Sequence, residues 1–291
     1  MANRPSPQPD DPAQQDDLAA ADATDLHRSV RLEGEAELDR SGAALIWSGV
    51  AAGIAINSTL LAQGAIAARL PDAPWAPLVI ALGYPIGFLI VILGRMELFT
   101  ESTITAMLPF ATRPSLRAAI RTLRLWAYVI LANLIGTAIA AGATTLGLVD
   151  TEHMMRAMIK IASKTMELGP LPTFINAIPA GFLIAIIAWI LPSSREQSFW
   201  IIGALTYLVG IAGFSHSIVG SDEVFLLIFN GAAGPSLILG SIVPALLGNL
   251  VGGAGIFALL AHAQVRSDAH ARARASEAGS GGRDRDGADP D

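Results

Sequence analysis

His216 offers the most chemistry in the least expected setting. It stands in Gly213-Phe-Ser-His-Ser-Ile218, within a run of 25 residues that carries no formal charge between Glu196 and Asp222. Imidazole exchanges protons near neutral pH, and an ionisable group inside an apolar segment is a functional candidate by default. The other four histidines lie in less telling places. His27 and His270 are in the charged ends, His153 is in a connection, and His262 is near the end of the last apolar stretch. None is spaced with acids as a metal ligand set, and the chain has no cysteine. A metal centre, a redox pair and a bound cofactor are therefore not expected. A second polar cluster interrupts another apolar stretch: Arg95, Glu97, Thr100, Glu101, Ser102 and Thr103. A third follows His216 and ends in Asp222 and Glu223.

The elements that must position these residues are read from the charges. Of 291 residues, 52% are hydrophobic and 15% charged. Residues 1–40 and 266–291 hold most of the charge, and the 225 residues between hold 19. That is about a third of the density a soluble domain carries. Three regions follow: an acidic N-terminal tail over 1–40, a membrane domain over 41–265 and a C-terminal tail over 266–291. Both tails are expected to be largely disordered for want of apolar residues, with a short helical turn over 30–40. A bilayer-crossing helix takes about 20 apolar residues, and the uncharged windows supply six, near 42–66, 76–97, 125–147, 173–192, 199–219 and 237–263. Residues 114–123 pattern as a short interfacial helix, with Leu116, Ile120 and Leu123 opposite Arg117, Arg121 and Arg124. Arginine and lysine divide 14 to 4 in favour of the side bearing the termini, with Arg95 left inside a span, so both ends are expected to be cytoplasmic. No cleavable signal pattern and no basic nucleic-acid patch is evident.

The two halves repeat. A shift of 116 residues superposes Gly87 on Gly203, Gly94 on Gly210, Thr100 on His216 and Asn133-Leu-Ile-Gly136 on Asn249-Leu-Val-Gly252. Three spans per repeat make the halves insert in opposite directions, and interrupted helices at corresponding positions then build a permeation site. Residues 98–101 and 215–220 are the expected breaks, because lipid excludes polar unwound backbone. The fold expected is all-α, with six transmembrane helices as two inverted three-helix repeats and broken second and fifth helices.

Gly94-x-x-Glu97-Leu-Phe-Thr100, Asn133-Leu-x-Gly136, Gly213-Phe-Ser-His216-Ser-Ile218 and Gly248-Asn249-x-x-Gly252-Gly253 together resemble the formate/nitrite transporter family. The likeness runs over 41–265 in order and spacing. It implies an aquaporin-like protomer with its own pore, a homopentamer, an inner-membrane location, Leu98, Phe99 and Thr100 as a gating loop, and His216 as the proton-linked centre. Three departures mark a divergent branch: Gly181 where the family has asparagine, Val219-Gly220 followed by Asp222-Glu223, and Arg95 in place of a small residue.

The favoured function is a channel or proton-linked transporter for a small monovalent anion. His216 would relay the proton, and Thr100 would bind the permeant. Phe88, Leu98, Phe99 and Val209 are either constriction residues or ordinary packing. Asn133 and Asn249 are expected to hold the breaks through backbone hydrogen bonds, and Glu97 to accept from exposed backbone N–H groups. Arg95 is either an anion-attracting charge or the partner of Asp222 or Glu223. Lys164 either draws anions to a vestibule or is a solvated loop charge. The alternatives are an aquaporin-like neutral-solute pore and a non-transporting scaffold. An intramembrane protease is excluded because Ser215 and His216 are chain neighbours and cannot face each other as nucleophile and base.

Overall fold

In the computed structural model, residues 23–147 and 152–268 are described; the expectations for 1–22 and 269–291 lie outside them. The first described element is α1 (Ala23–Asp39). The first span is α2 (Gly42–Ile56) and α3 (Ser58–Ala67), joined at Asn57. The second is α4 (Ala76–Ile80), a 3₁₀ turn and α5 (Pro85–Leu93), after which the chain breaks and restarts as α6 (Phe99–Thr112). The third is α7 (Leu116–Thr145). Helices α8 (Glu152–Ala162) and α9 (Lys164–Glu167) lead to the fourth span, α10 (Pro170–Ile190). The fifth is broken into α11 (Ser198–Ala212) and α12 (Ser217–Phe229), which bend by 52°. The last runs over Ile238–Asp268 and contains α13 (Val243–Leu250) between two π-helical stretches. Five continuous helices are long and apolar enough to cross a bilayer, and the bent pair makes the sixth.

Small residues let the spans close on one another, as helix packing in lipid requires. A Cβ on Gly53 would lie 2.8 Å from the Cα of Gly136, so α2 and α7 touch backbone to backbone. Gly248 and Gly252 do the same against the Phe174 and Ile178 carbonyls of α10. The small-residue pairs Gly49/Gly53 and Gly248/Gly252 therefore both pack within one chain. Gly181, where the resemblance led an asparagine to be expected, is held to glycine by its neighbour. A Cβ there would meet the Asn249 carbonyl oxygen at 2.2 Å, which leaves no room for an asparagine.

Two local expectations are corrected. No separate interfacial helix forms over 114–123. Ser115 caps Ala118 N–H at 3.1 Å, nothing breaks the helix after it, and α7 runs unbroken for 30 residues. The short turn expected over 30–40 is instead the 17-residue α1, where 1–40 was expected to be largely disordered. Its buried residues, His27, Val30, Gly34 and Leu38, recur at helical spacing. Gly34 lies hard against the Thr105 carbonyl of α6. Thr105 donates to Glu37 at 2.5 Å, Arg40 pairs with Glu97, and Arg124 donates to the Leu38 carbonyl at 3.0 Å. His27 Nε2 lies 3.1 Å from His262 Nδ1, which places α1 beside the end of the last span. This end is called the terminal side below, and the end bearing α8 and α9 the distal side.

Candidate functional site

The two breaks are built alike. The second span ends with Arg95 in the left-handed region at φ 54° and the fifth with Gly213 at φ 66°. Met96 N–H bonds the Val91 carbonyl at 3.0 Å, and Phe214 N–H bonds that of Val209 at 3.1 Å. Arg95 N–H reaches Ile92 at 3.1 Å and Gly213 N–H reaches Gly210 at 3.3 Å. This paired pattern is the Schellman end of a helix. The restarts match too: Leu98 (φ −107°, ψ 126°) precedes α6 and His216 (φ −105°, ψ 125°) precedes α12. The unwound segments are therefore 94–98 and 213–216. The expected breaks at 98–101 and 215–220 were placed a few residues late, because a half-helix begins as soon as its first N–H groups find acceptors.

Asn133 and Asn249 supply those acceptors. Asn133 Oδ1 accepts from Phe99 N–H at 2.9 Å, while its Nδ2 donates to the Gly49 and Glu97 carbonyls. Asn249 Oδ1 accepts from Ser217 N–H at 2.8 Å, and its Nδ2 donates to the Ala177 and Ser215 carbonyls. Repeat-related residues in the breaks thus lie 118 apart (Arg95 and Gly213, Leu98 and His216), while the asparagines lie 116 apart. Thr100 and His216 are not repeat mates. They are bonded partners: Thr100 Oγ1 lies 2.9 Å from His216 Nε2.

The tautomer of His216 follows from its surroundings. Its Nδ1 accepts from Val219 N–H at 3.3 Å, so in the neutral ring the proton is on Nε2 and is donated to Thr100. Phe88 packs edge to face on the imidazole, with ring centroids 4.9 Å apart. Phe88, Leu98, Phe99, Thr100, Val209 and His216 are all buried. On the terminal side of this layer a cavity of 500 Å³ is lined by Leu98, Arg95, Glu97, Glu101, Arg195, by Glu33 and Glu37 of α1, and by Arg40 just after it. On the distal side a cavity of 180 Å³ is lined by Val209, His216, Glu223, Lys164, Gln63 and Thr173. The half-helices α6 and α12 both start in the layer, and their positive ends adjoin there.

Other sequence candidates are redistributed. Arg95 pairs with neither Asp222 nor Glu223; its exposed guanidinium lies 3.1 Å from Glu33 of α1, because the break that holds it faces the terminal side. Asp222 accepts twice from Asn57 Nδ2, at 3.0 and 2.9 Å. The Glu97 carboxylate takes Arg40 and the Ser102 hydroxyl rather than exposed backbone N–H groups, and the capping falls to Asn133. Lys164 and Glu223 share the distal cavity. The sequence reading missed Gln63, Tyr84, Thr173 and Asn57. Lone amides and hydroxyls within uncharged windows were the available signal.

Helices fully spanning a bilayer, two opposed half-helices and a buried polar junction between two cavities define a membrane channel or transporter of the inverted-repeat class. The chain belongs to the formate/nitrite transporter family, whose model matches residues 24–263. It is 39% identical over 254 residues to inner membrane protein YfdC of Escherichia coli (strain K12), covering 87% of this chain and 82% of that one. It is 24% identical over 219 residues to formate channel BtFdhC of Bacillus thuringiensis, covering 73% of this chain and 83% of that one. Among solved structures, a pentameric formate channel with formate bound superposes with a TM-score of 0.66 at 18% identity, over 77% of this chain and 97% of that one.

Proposed function

We propose that the protein passes a small monovalent anion of a weak acid, formate-like or nitrite-like, which crosses in its protonated form through the layer held by His216 and Thr100. The observation that carries this reading is the 2.9 Å bond between Thr100 and His216 in a buried layer between two cavities. A bare anion in a low-dielectric layer costs on the order of tens of kcal/mol. Loading a proton onto the permeant removes that cost, and a weak acid can then cross as a neutral molecule. Thr100 accepts from His216, so its own hydroxyl hydrogen is free to point at the permeant. Leu98, Phe99, Phe88 and Val209 form the apolar constriction, and Lys164 draws the anion into the distal cavity. Both termini face the cytoplasm, as the 14-to-4 split of basic residues favours. An inner-membrane homopentamer with one pore per protomer fits the relatives named above.

One feature favours a second reading. Glu33, Glu37, Glu97 and Glu101 outnumber Arg40, Arg95 and Arg195 around the terminal cavity, which suits a neutral-solute pore better than a free anion. Purified protein in liposomes separates the two through uptake of formate, nitrite, chloride, acetate and glycerol at mildly acidic and neutral pH. Formate or nitrite uptake that rises in acid, with glycerol excluded, is expected. Glycerol uptake without anion uptake would overturn the anion reading.

A further inference from the structure

We propose that Glu223, not His216, hands the proton to the permeant, and that it does so in the distal cavity while Lys164 holds the anion. The inference rests on the anion reading above. His216 is badly placed to be the donor, since both ring nitrogens are already engaged within the protein, Nε2 with Thr100 and Nδ1 with Val219 N–H. To take a proton on Nδ1 the ring would have to give up the bond that starts α12. Besides His216, the titratable side chains lining the distal cavity are Tyr84, Lys164 and Glu223. A phenol or ammonium, with an ordinary pKa of about 10, is too weak an acid to protonate a carboxylate, whereas a glutamic acid near 4.3 is matched to one.

The groups facing Glu223 are Lys164 of α9, its neighbour Asp222 on α12, and Tyr84 from the turn before α5. The lining contributed by α11 (Val209, Gly210) carries no charge. Space and polarity fit a small acid. Gly220, one turn before Glu223, lines the cavity, and a Cβ there would meet nothing within 4 Å. Gln63 Oε1 and Thr173 Oγ1, on two further lining residues, are buried without a hydrogen-bond partner in the protein.

The step is a plain transfer. The O–H bond of the Glu223 carboxyl breaks as an O–H bond forms on the permeant's oxygen. Glu223 is left as a carboxylate beside the Lys164 ammonium, and it regains its proton from hydronium at the mouth of the cavity. The neutral acid then meets the Thr100 hydroxyl and crosses the layer.

The test uses liposomes holding a pH-sensitive dye, with labelled formate outside, and compares wild type, Glu223→Gln, Glu223→Asp and His216→Asn. Glu223→Gln is expected to lower uptake at neutral pH by about tenfold or more. The deficit should close in acid, where more of the permeant arrives already protonated. Glu223→Asp, which keeps an acid on a shorter arm, should retain the wild-type pH profile at a lower rate. Glu223→Gln with the wild-type rate and profile would overturn the proposal, as would Glu223→Asp behaving like a variant with no acid; the second outcome remains decisive should the glutamine variant not fold. Wild-type protein that moves no formate would overturn the anion reading itself, and the two failures are thus distinct.

Discussion

At the residue scale, the junction between the cavities depends on two polar side chains satisfying each other where water is absent. Thr100→Val keeps the shape of Thr100 and removes the hydroxyl, leaving the His216 Nε2–H buried without its acceptor. An orphaned buried donor costs about 1–3 kcal/mol, so the variant should melt earlier in detergent and lose transport. Unchanged melting would mean that the bond contributes little to holding the breaks together. Gly181 makes a complementary case. A side chain there collides with the Asn249 backbone, which cannot swing away because Asn249 anchors α12 through Ser217 N–H. Gly181→Asn should destabilise by about 1–3 kcal/mol through overpacking. A thermal-shift measurement in detergent that finds no loss would show that α10 and the last span can part at no cost.

At the element scale, α1 is held by groups whose titration sets when it docks. Burial drives the Glu37 carboxyl well above its ordinary 4.5, and nearby Glu97 pushes the same way, while the Thr105 hydroxyl partly opposes. A raised pKa in the docked state means that Glu37 contributes most at low pH, and its contribution fades as pH climbs from 4.5 through the raised value. His27 works in the opposite direction. Burial lowers its pKa from 6.5, helped by His262 and Arg31, so its contribution is full above 6.5 and fades as pH falls towards the lowered value. Above pH 6.5 the His27 contribution is already complete and only that of Glu37 still changes, so α1 should loosen as pH rises through this range. Hydrogen exchange over residues 23–39, corrected for intrinsic rates, should quicken with pH in wild type and not in Glu37→Gln. Exchange in wild type that is flat or slows with pH would contradict this balance.

The breaks were legible in the sequence because polar residues interrupt runs that lipid would otherwise cover. Their ends were not, since the acceptors that restart α6 and α12 come from Asn133 and Asn249, tens of residues away on other helices. The 116-residue shift found the two asparagines and so the repeat. It also set Thr100 on His216, and the structure shows these to be contact partners, because the chain between break and asparagine is two residues shorter in the second half. Helix α1 was hard to read for a different reason. Its buried face is His27, Val30, Gly34 and Leu38, too poor in large apolar residues to stand out, and it is held largely by polar contacts to α6, α7 and the first break.

At the scale of the whole molecule, two inverted halves bring their interrupted spans together so that one buried layer separates a terminal cavity from a distal one. Family membership and a matching fold agree with a pore, and the crossing proposed for it passes the layer held by His216 and Thr100. The most direct measurement is formate uptake into liposomes across mildly acidic to neutral pH, by wild type and by His216→Asn side by side. Asparagine can still accept the Val219 N–H, so the variant should fold, yet it cannot carry a proton. The account predicts that wild-type uptake varies over this range, and that the variant, with the His216–Thr100 bond lost from the layer, transports little or nothing at any pH. A variant with the wild-type rate and the wild-type pH profile would contradict it.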